Sequence, residues 1–374
     1  MKFLAGSLLL FVAAAPSWAA KKITVQELKD TLIAMHQTSK SDGSVATELK
    51  KLELSEELTN SAKNAIAVYV PGELSAEQVE IMAGRSAMLP PAAADVPAAP
   101  APDAATQQAI LAKAVDHVSK TVAQNPHLTA SKTTTRFQDD VVNMSSSPGL
   151  NVASPNTYAK LWDARSEQVE SERGTEKAAP SKAKTKWGSN GEISEGEPGP
   201  NLGVLLQEAS AGKIDWLRWQ TIDGRQIAVF SYAVDRKKTH FNVYYCCFPN
   251  TETQTGIAAS GTFVPIPGEI QSLTTWKVFK KVVGYHGELF IDPGTGAVVR
   301  VIVRAELRPS DFVHQEDRRI DYAPVVVDGK EFEVPVREYV VNETVPGGDA
   351  GTTAYSVRHS LFLVRYANYK MAGK

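Results

Sequence analysis

His286, Glu288 and Asp292 stand at alternate positions of the run Tyr285-His286-Gly287-Glu288-Leu289-Phe290-Ile291-Asp292, so an extended strand puts all three on one face. An imidazole and carboxylates placed this way can start a metal site or an acid–base pair. Zinc deaminases use such a His-x-Glu step, but their metal also needs a Pro-Cys-x-x-Cys partner, which the chain lacks. The run from His314 to Arg319 mixes both charge signs and reads either as a second candidate or as a solvated strand end. An enzyme, a hydrolase or a metal-dependent one, would have to bring His286, Glu288 and His314 together. His359 is in phase with Val357, Leu361 and Leu363, as a core or rim histidine would be, and His36, His117, His127 and His240 fall in no pattern. Gly-x-Ser-x-Gly, His-Glu-x-x-His, a Walker loop and Gly-x-Gly-x-x-Gly are all missing from the sequence. No catalytic, cofactor or metal set therefore emerges.

The two cysteines are neighbours, Cys246 and Cys247. Their Cα atoms are about 3.8 Å apart across a trans peptide, below the roughly 4.4–6.8 Å of ordinary disulfides. Strand alternation also turns the thiols to opposite faces. Two free thiols, at least one packed as a small hydrophobe, are expected, with a redox pair or metal site as the alternative. Arg300, Arg304 and Arg308 recur on one side of an apolar strand and meet either an anionic group or solvent and neighbouring acids such as Glu306. Trp216, Trp219, Phe230, Tyr232 and Tyr245 could line an apolar ligand pocket; ordinary sheet core is the competing reading.

The elements that must position these residues follow from periodicity. Residues 21–89 read as a small domain of about four helices, with Thr24 and Glu27 forming a capping box and Ser55 and Ser75 capping helices that end near Tyr69 and Met88. Such a unit packs on itself or on a protein partner. Residues 90–104 form a stiff Ala/Pro linker. A second domain, 105–370, opens with a helix over 104–124 whose stripe is Ile110, Leu111, Ala114, Val115, Val118 and Val122 and which Pro126 stops. A polar insert at about 139–200 has no core-forming pattern beyond a short strand at Tyr158–Trp162. A helix over 202–209 precedes nine or ten strands. Asp223-Gly224 and Asp328-Gly329 predict two-residue hairpins, and Asp292-Pro293-Gly294-Thr295-Gly296 another turn. Val299, Val301, Val303, Ala305 and Leu307 alternate with arginines, so that strand has one core face and one wet face. The predicted class is α+β: a large curved antiparallel sheet, an incomplete β-barrel wrapped around the 104–124 helix.

The chain has 374 residues, a formal charge of −2 and 43% apolar residues. That composition suits a packed core and excludes disorder throughout, and nucleic acid is not the expected partner. Lys2, the apolar run Leu8–Ala15 and small residues at Ser17 and Ala19 predict a cleavable signal peptide over residues 1–20. Its loss removes Lys2 and no acid, leaving 39 basic and 42 acidic residues. No later segment is apolar enough for a transmembrane anchor, and no cysteine near the cut could carry a lipid. The expected location is periplasmic or secreted.

Three segments together carry a resemblance: Val122-Ala123-Gln124-Asn125-Pro126-His127-Leu128, Ile222-Asp223-Gly224-Arg225-Gln226-Ile227-Ala228, and Gly287-Glu288-Leu289-Phe290-Ile291-Asp292-Pro293-Gly294-Thr295-Gly296. Over roughly 105–370 the succession resembles uncharacterised secreted bacterial proteins similar to the periplasmic lipoprotein-carrier superfamily (LolA/LolB and RseB-like). The resemblance implies a half-barrel plugged by helices and a non-enzymatic binding protein holding a lipid or lipoprotein segment in an apolar concavity, with no cofactor. The helical unit and the polar insert depart from the small carriers, and a structural envelope protein is the further alternative.

Overall fold

The computed structural model describes residues 21–139, 158–173, 175–178, 201–249, 276–344 and 358–372. The expected signal peptide lies outside the described residues, as do the side chains of Cys246 and Cys247. Helix α1 (Val25–Gln37) opens on the predicted capping box: Glu27 N–H donates to the Thr24 hydroxyl, and Thr24 N–H donates to the Glu27 carboxylate at 2.7 Å. Helices α2 (Asp42–Leu49), α3 (Asn60–Ile66) and α4 (Glu73–Arg85) follow. The expected caps at Ser55 and Ser75 are displaced. Thr59 caps α3, and α4 begins after Gly72, which has no side chain to offer. The Asp42 carboxylate takes its place, accepting from Leu74 N–H at 3.0 Å and Ser75 N–H at 2.9 Å. An exposed helix N-terminus needs an acceptor close in space, whatever its place in sequence. Two three-residue strands, β1 (Lys21–Ile23) and β2 (Leu52–Leu54), pair in parallel beside these helices. They enclose a core of Leu28, Leu32, Val45, Leu49 and Val79.

The rest is built on one ten-stranded sheet. In chain order its strands are β3 (Leu128–Asp139), β4 (Tyr158–Glu172), β5 (Thr175–Ala178), β6 (Lys213–Ile222), β7 (Arg225–Val234), β10 (Tyr285–Ile291), β11 (Val298–Ala305), β12 (Val313–Val327), β13 (Lys330–Thr344) and β14 (Arg358–Met371). In space the order is β5-β4-β3-β14-β13-β12-β11-β10-β7-β6, antiparallel throughout. The outer strands β5 and β6 do not pair with each other, so the sheet is not closed into a barrel. β8 (Asn242–Pro249) and β9 (Trp276–Val282) form a separate hairpin sheet. The Asp-Gly turns hold as read: Asp223, Gly224, Asp328 and Gly329 all have φ between 47° and 76°, as the two-residue hairpin requires. Within the polar insert, β4 is fifteen residues long and β5 adds a further edge strand, well beyond the expected 158–162.

Both faces of the sheet are covered. Helices α5 (Ala104–Lys120) and α6 (Leu202–Ala211) lay Ile110, Ala114, Leu205 and Ala209 over Phe230, Tyr232, Leu289, Val301 and Val303 on one face. The N-terminal helices cover the other, where Ile81 and Ala87 meet Tyr339 and Leu361, and Met88 meets Phe290 and Ile302. The face of β11 read as wet is therefore under helices, which its single apolar residue Ile302 foreshadowed. A bulge at Phe290/Ile291 also breaks the valine alternation, so Val298 joins Val301 and Val303 in the core and Val299 faces the opposite cluster. The Ala/Pro segment runs against the sheet edge, where Trp219 Nε1 donates to Pro100 O at 2.9 Å.

Candidate functional site

The candidate ligands of the sequence reading separate. His286 Nδ1 lies 3.6 Å from Glu306, Glu288 pairs with Arg218 at 2.7 Å, and His314 Nδ1 lies 3.6 Å from Glu343. Asp292 caps its own turn, accepting from Gly294 N–H and Thr295 N–H. His286, Glu288 and His314 each hold a different partner. His359 joins His314 at Glu343, also at 3.6 Å. Among the described residues no group of three His, Cys, Asp or Glu side chains is arranged to hold a metal ion.

The aromatic set belongs to the packed interior. Phe230, Tyr232 and Tyr245 are 1–3% exposed beneath α5 and α6. Tyr232 faces Gly287 across the β7–β10 ladder, and its hydroxyl donates to Ile302 O on β11 at 2.8 Å. A Cβ on Gly287 would run into that same Ile302 carbonyl, with the Tyr232 hydroxyl beside it; the glycine lets the phenol reach across a strand. Burial pushes the phenol pKa well up, so it serves as a fixed donor. Trp216 and Trp219 are half-buried at the sheet edge, edge-to-face at 4.8 Å, with Trp216 against Phe230 at 5.3 Å.

Two of the three arginines find carboxylates of the protein itself. Arg300 donates to Glu57 at 3.0 Å and to Asp321 at 2.8 Å, and Arg319 donates to the same two acids. Burial opposes the Asp321 charge, but Arg319 and Arg300 over-ride it and hold the carboxyl well below its ordinary value. Arg304 donates to Met88 O and approaches Glu288 at 3.9 Å, while Arg308 is exposed beyond the end of β11. These residues tie the N-terminal helices to the sheet.

On the α5 face, the β12-β13-β14-β3 quarter of the sheet is polar. One row across four strands reads Glu316, Asn342, Ser360, Gln138, all buried. Arg318 bridges Glu316 and Glu338 at 3.0 and 2.7 Å, and Lys132 and Tyr366 meet Glu176. Glu316 Oε2 and both polar atoms of the Asn342 amide are buried with no hydrogen-bond partner. Burial pushes the Glu316 carboxyl up to about 7 despite Arg318 beside it.

An open cleft of about 570 Å³ lies at the end of the sheet where β11 and β12 part. The end of α5 supplies His117 and Lys120, and the residue after the short 3-10 turn Val122–Gln124 supplies Asn125; the hairpin turns supply Arg225 and Thr295; β12 and β13 supply Tyr322 and Glu333. His117 Nε2 and Glu333 Oε2 are 2.6 Å apart, and Asn125 donates to Glu333 O. Burial lifts the Glu333 carboxyl, with His117 pulling it back. Lys113 fixes α5 here by donating to Pro293 O and Gly294 O. No local pattern points to the His117–Glu333 pair, since 216 positions separate its members. No family model, curated protein or solved structure matches the chain.

Proposed function

We propose that this chain is an extracytoplasmic, non-enzymatic binding protein whose ligand enters the cleft between α5, the β10–β11 turn and the β12–β13 hairpin. The cleft itself carries the reading: its volume suits a small ligand, and groups of both charge signs converge on it from three separate parts of the chain. The signal-peptide pattern over residues 1–20 supports the location. A thermal-shift screen of amino acids, organic acids and short peptides tests it. A true ligand raises the melting temperature, and Arg225→Ala with Lys120→Ala weakens its binding at least tenfold without lowering the melting temperature of the free chain. A screen in which nothing binds, or binding indifferent to those changes, sinks the proposal.

A second reading has an observation of its own in the apolar stripes that α5 and α6 lay over the sheet. On it the fold is an incomplete, lipoprotein-carrier-like barrel that holds a lipid or lipoprotein segment against Trp216, Trp219, Phe230, Tyr232 and Tyr245. Cargo would require both helices to lift, since these side chains are packed beneath them or at their margin. Uptake of a fluorescent fatty acid by delipidated protein, with loss of amide protection in α5, supports this reading; no uptake removes it. The N-terminal helices would then be a domain of their own, offering the exposed Val68 and Leu74 to a protein partner. Among the described residues no helix is long and apolar enough to cross a membrane.

A further inference from the structure

We infer that the cleft takes an extended peptide segment, paired main chain to main chain with the free edge of β12; the inference rests on the cleft reading above for the place of the site. β11 pairs with β12 only between Arg300↔Asp321 and Arg304↔Asp317, and β13 pairs with β14 only from Arg337↔Arg365 onward. The hairpin from 322 to 336 therefore extends past its neighbour on each side. Its two-residue turn makes Val327 and Lys330 a hydrogen-bonded pair, and alternation then points the main-chain groups of Tyr322, Pro324 and Val326 outward on β12, and those of Glu331, Glu333 and Pro335 outward on β13. Both prolines fall at outward positions, where a missing N–H costs no ladder bond.

The two edges are treated differently. On β13, the Asn125 amide donates to Glu333 O at 2.9 Å and the Tyr369 hydroxyl to Pro335 O at 2.6 Å. On β12, among the described residues, no hydrogen bond reaches the outward groups of Tyr322, Pro324 or Val326. Tyr322, Ala323 and Pro324 of that open edge line one wall of the cleft, and Val299 and Arg300 at the start of β11 line another. A free row of strand donors and acceptors inside a cleft is what strand addition uses. From Tyr322 to Val326 the edge runs roughly 13 Å at about 3.3 Å per residue, room for a segment of about four residues. Pro324 offers a carbonyl without an N–H, which fixes the register. Arg225 and Lys120 on one side and Glu331 on another favour side chains of both signs in the segment, and Val326, 68% exposed, adds an apolar contact at the mouth.

The test uses the whole chain and a blocked hexapeptide alternating valine with lysine and glutamate, followed by fluorescence anisotropy. The peptide is expected to bind, and N-methylation of the amides that face β12 to weaken it at least tenfold while methylation of the intervening amides does not. Val326→Pro, which removes an outward N–H, should weaken binding to the same degree with the melting temperature unchanged; the methylated peptides decide the matter if that variant folds poorly. Binding indifferent to methylation overturns strand pairing. If amino acids or organic acids bind in the cleft and no peptide does, the inference falls and the cleft reading stands; if nothing binds, both fall. Self-association abolished by Val326→Pro would make a second copy the occupant and overturn the foreign peptide.

Discussion

Glu316 is fully buried on β12, one oxygen on Arg318 and the other without a hydrogen-bond partner. An acid whose folded pKa is raised keeps its proton longer in the native state than in the unfolded chain. It therefore subtracts stability progressively as pH climbs from its ordinary value of 4.5 to about 7. At about 1.4 kcal/mol per pKa unit the loss is at most about 3.5 kcal/mol. Glu316→Gln should remove that slope, so that the variant gains on the natural chain in urea unfolding between pH 5 and 8. Parallel stability curves for the two would show that Glu316 titrates normally. Gly287 sets a second test at this scale, because the Ile302 carbonyl of β11, with the Tyr232 hydroxyl beside it, occupies the room that a side chain there would need. Gly287→Ala should cost more than the roughly 1–3 kcal/mol of ordinary overpacking, since strand backbone is what must yield; a loss under about 1 kcal/mol would mean that the ladder adapts. The sequence marked both Gly287 and Tyr232, but only as members of a turn-rich segment and an aromatic set. Their pairing depends on β7 and β10 being neighbours, which no local pattern encodes.

Elements were legible where local chemistry determines them. Asp-Gly pairs specify their turns through positive φ, and Thr24 with Glu27 specifies the start of α1, because donor and acceptor lie within one turn of each other. Strand β4 was read short, as Tyr158–Trp162, in a stretch whose sequence is mostly polar, and its neighbour β3 shows why such strands are hard to read. Lys132, Thr134, Arg136 and Gln138 take the inward positions of β3, so the apolar alternation that announces a half-buried strand is absent. The start of α4 was misread for the opposite reason: a plausible local cap, Ser75, competes with a distant carboxylate that does the work. Asp42→Ala should therefore destabilise the start of α4 as the loss of an N-cap does, although the residue lies 32 positions before Leu74. Amide exchange would report it as faster exchange at Leu74 and Ser75. Equal exchange in the variant would show that water replaces the carboxylate without cost.

At the scale of the molecule, the two covered faces of the sheet are held by different forces. α5 and α6 add to their apolar burial separate polar contacts, His117 to Glu333 and Glu208 to Tyr285, whereas the N-terminal helices add to theirs a buried quartet of Glu57, Asp321, Arg300 and Arg319. Its charges balance, two against two, and Glu57 is the only member contributed from outside the sheet. Removing it leaves two guanidiniums, each 2–4% exposed, sharing one carboxylate, and an uncompensated buried charge costs about 3–5 kcal/mol. Glu57→Ala should lower the unfolding free energy by that amount, or release the N-terminal helices as a separate early transition in calorimetry. Replacing Arg319 by Met in the same background restores neutrality and should recover most of the loss, while packing alone would leave the double variant no better than the single. The sequence does not show this arrangement: no pattern there singles out Glu57, and Arg300 reads as meeting either an anionic group or solvent and neighbouring acids. Their roles follow only from how the chain brings 57, 300, 319 and 321 to one point, so a single-variant cost below about 1 kcal/mol would mean that the apolar contacts of Ile81, Ala87 and Met88 hold the helices on the sheet unaided.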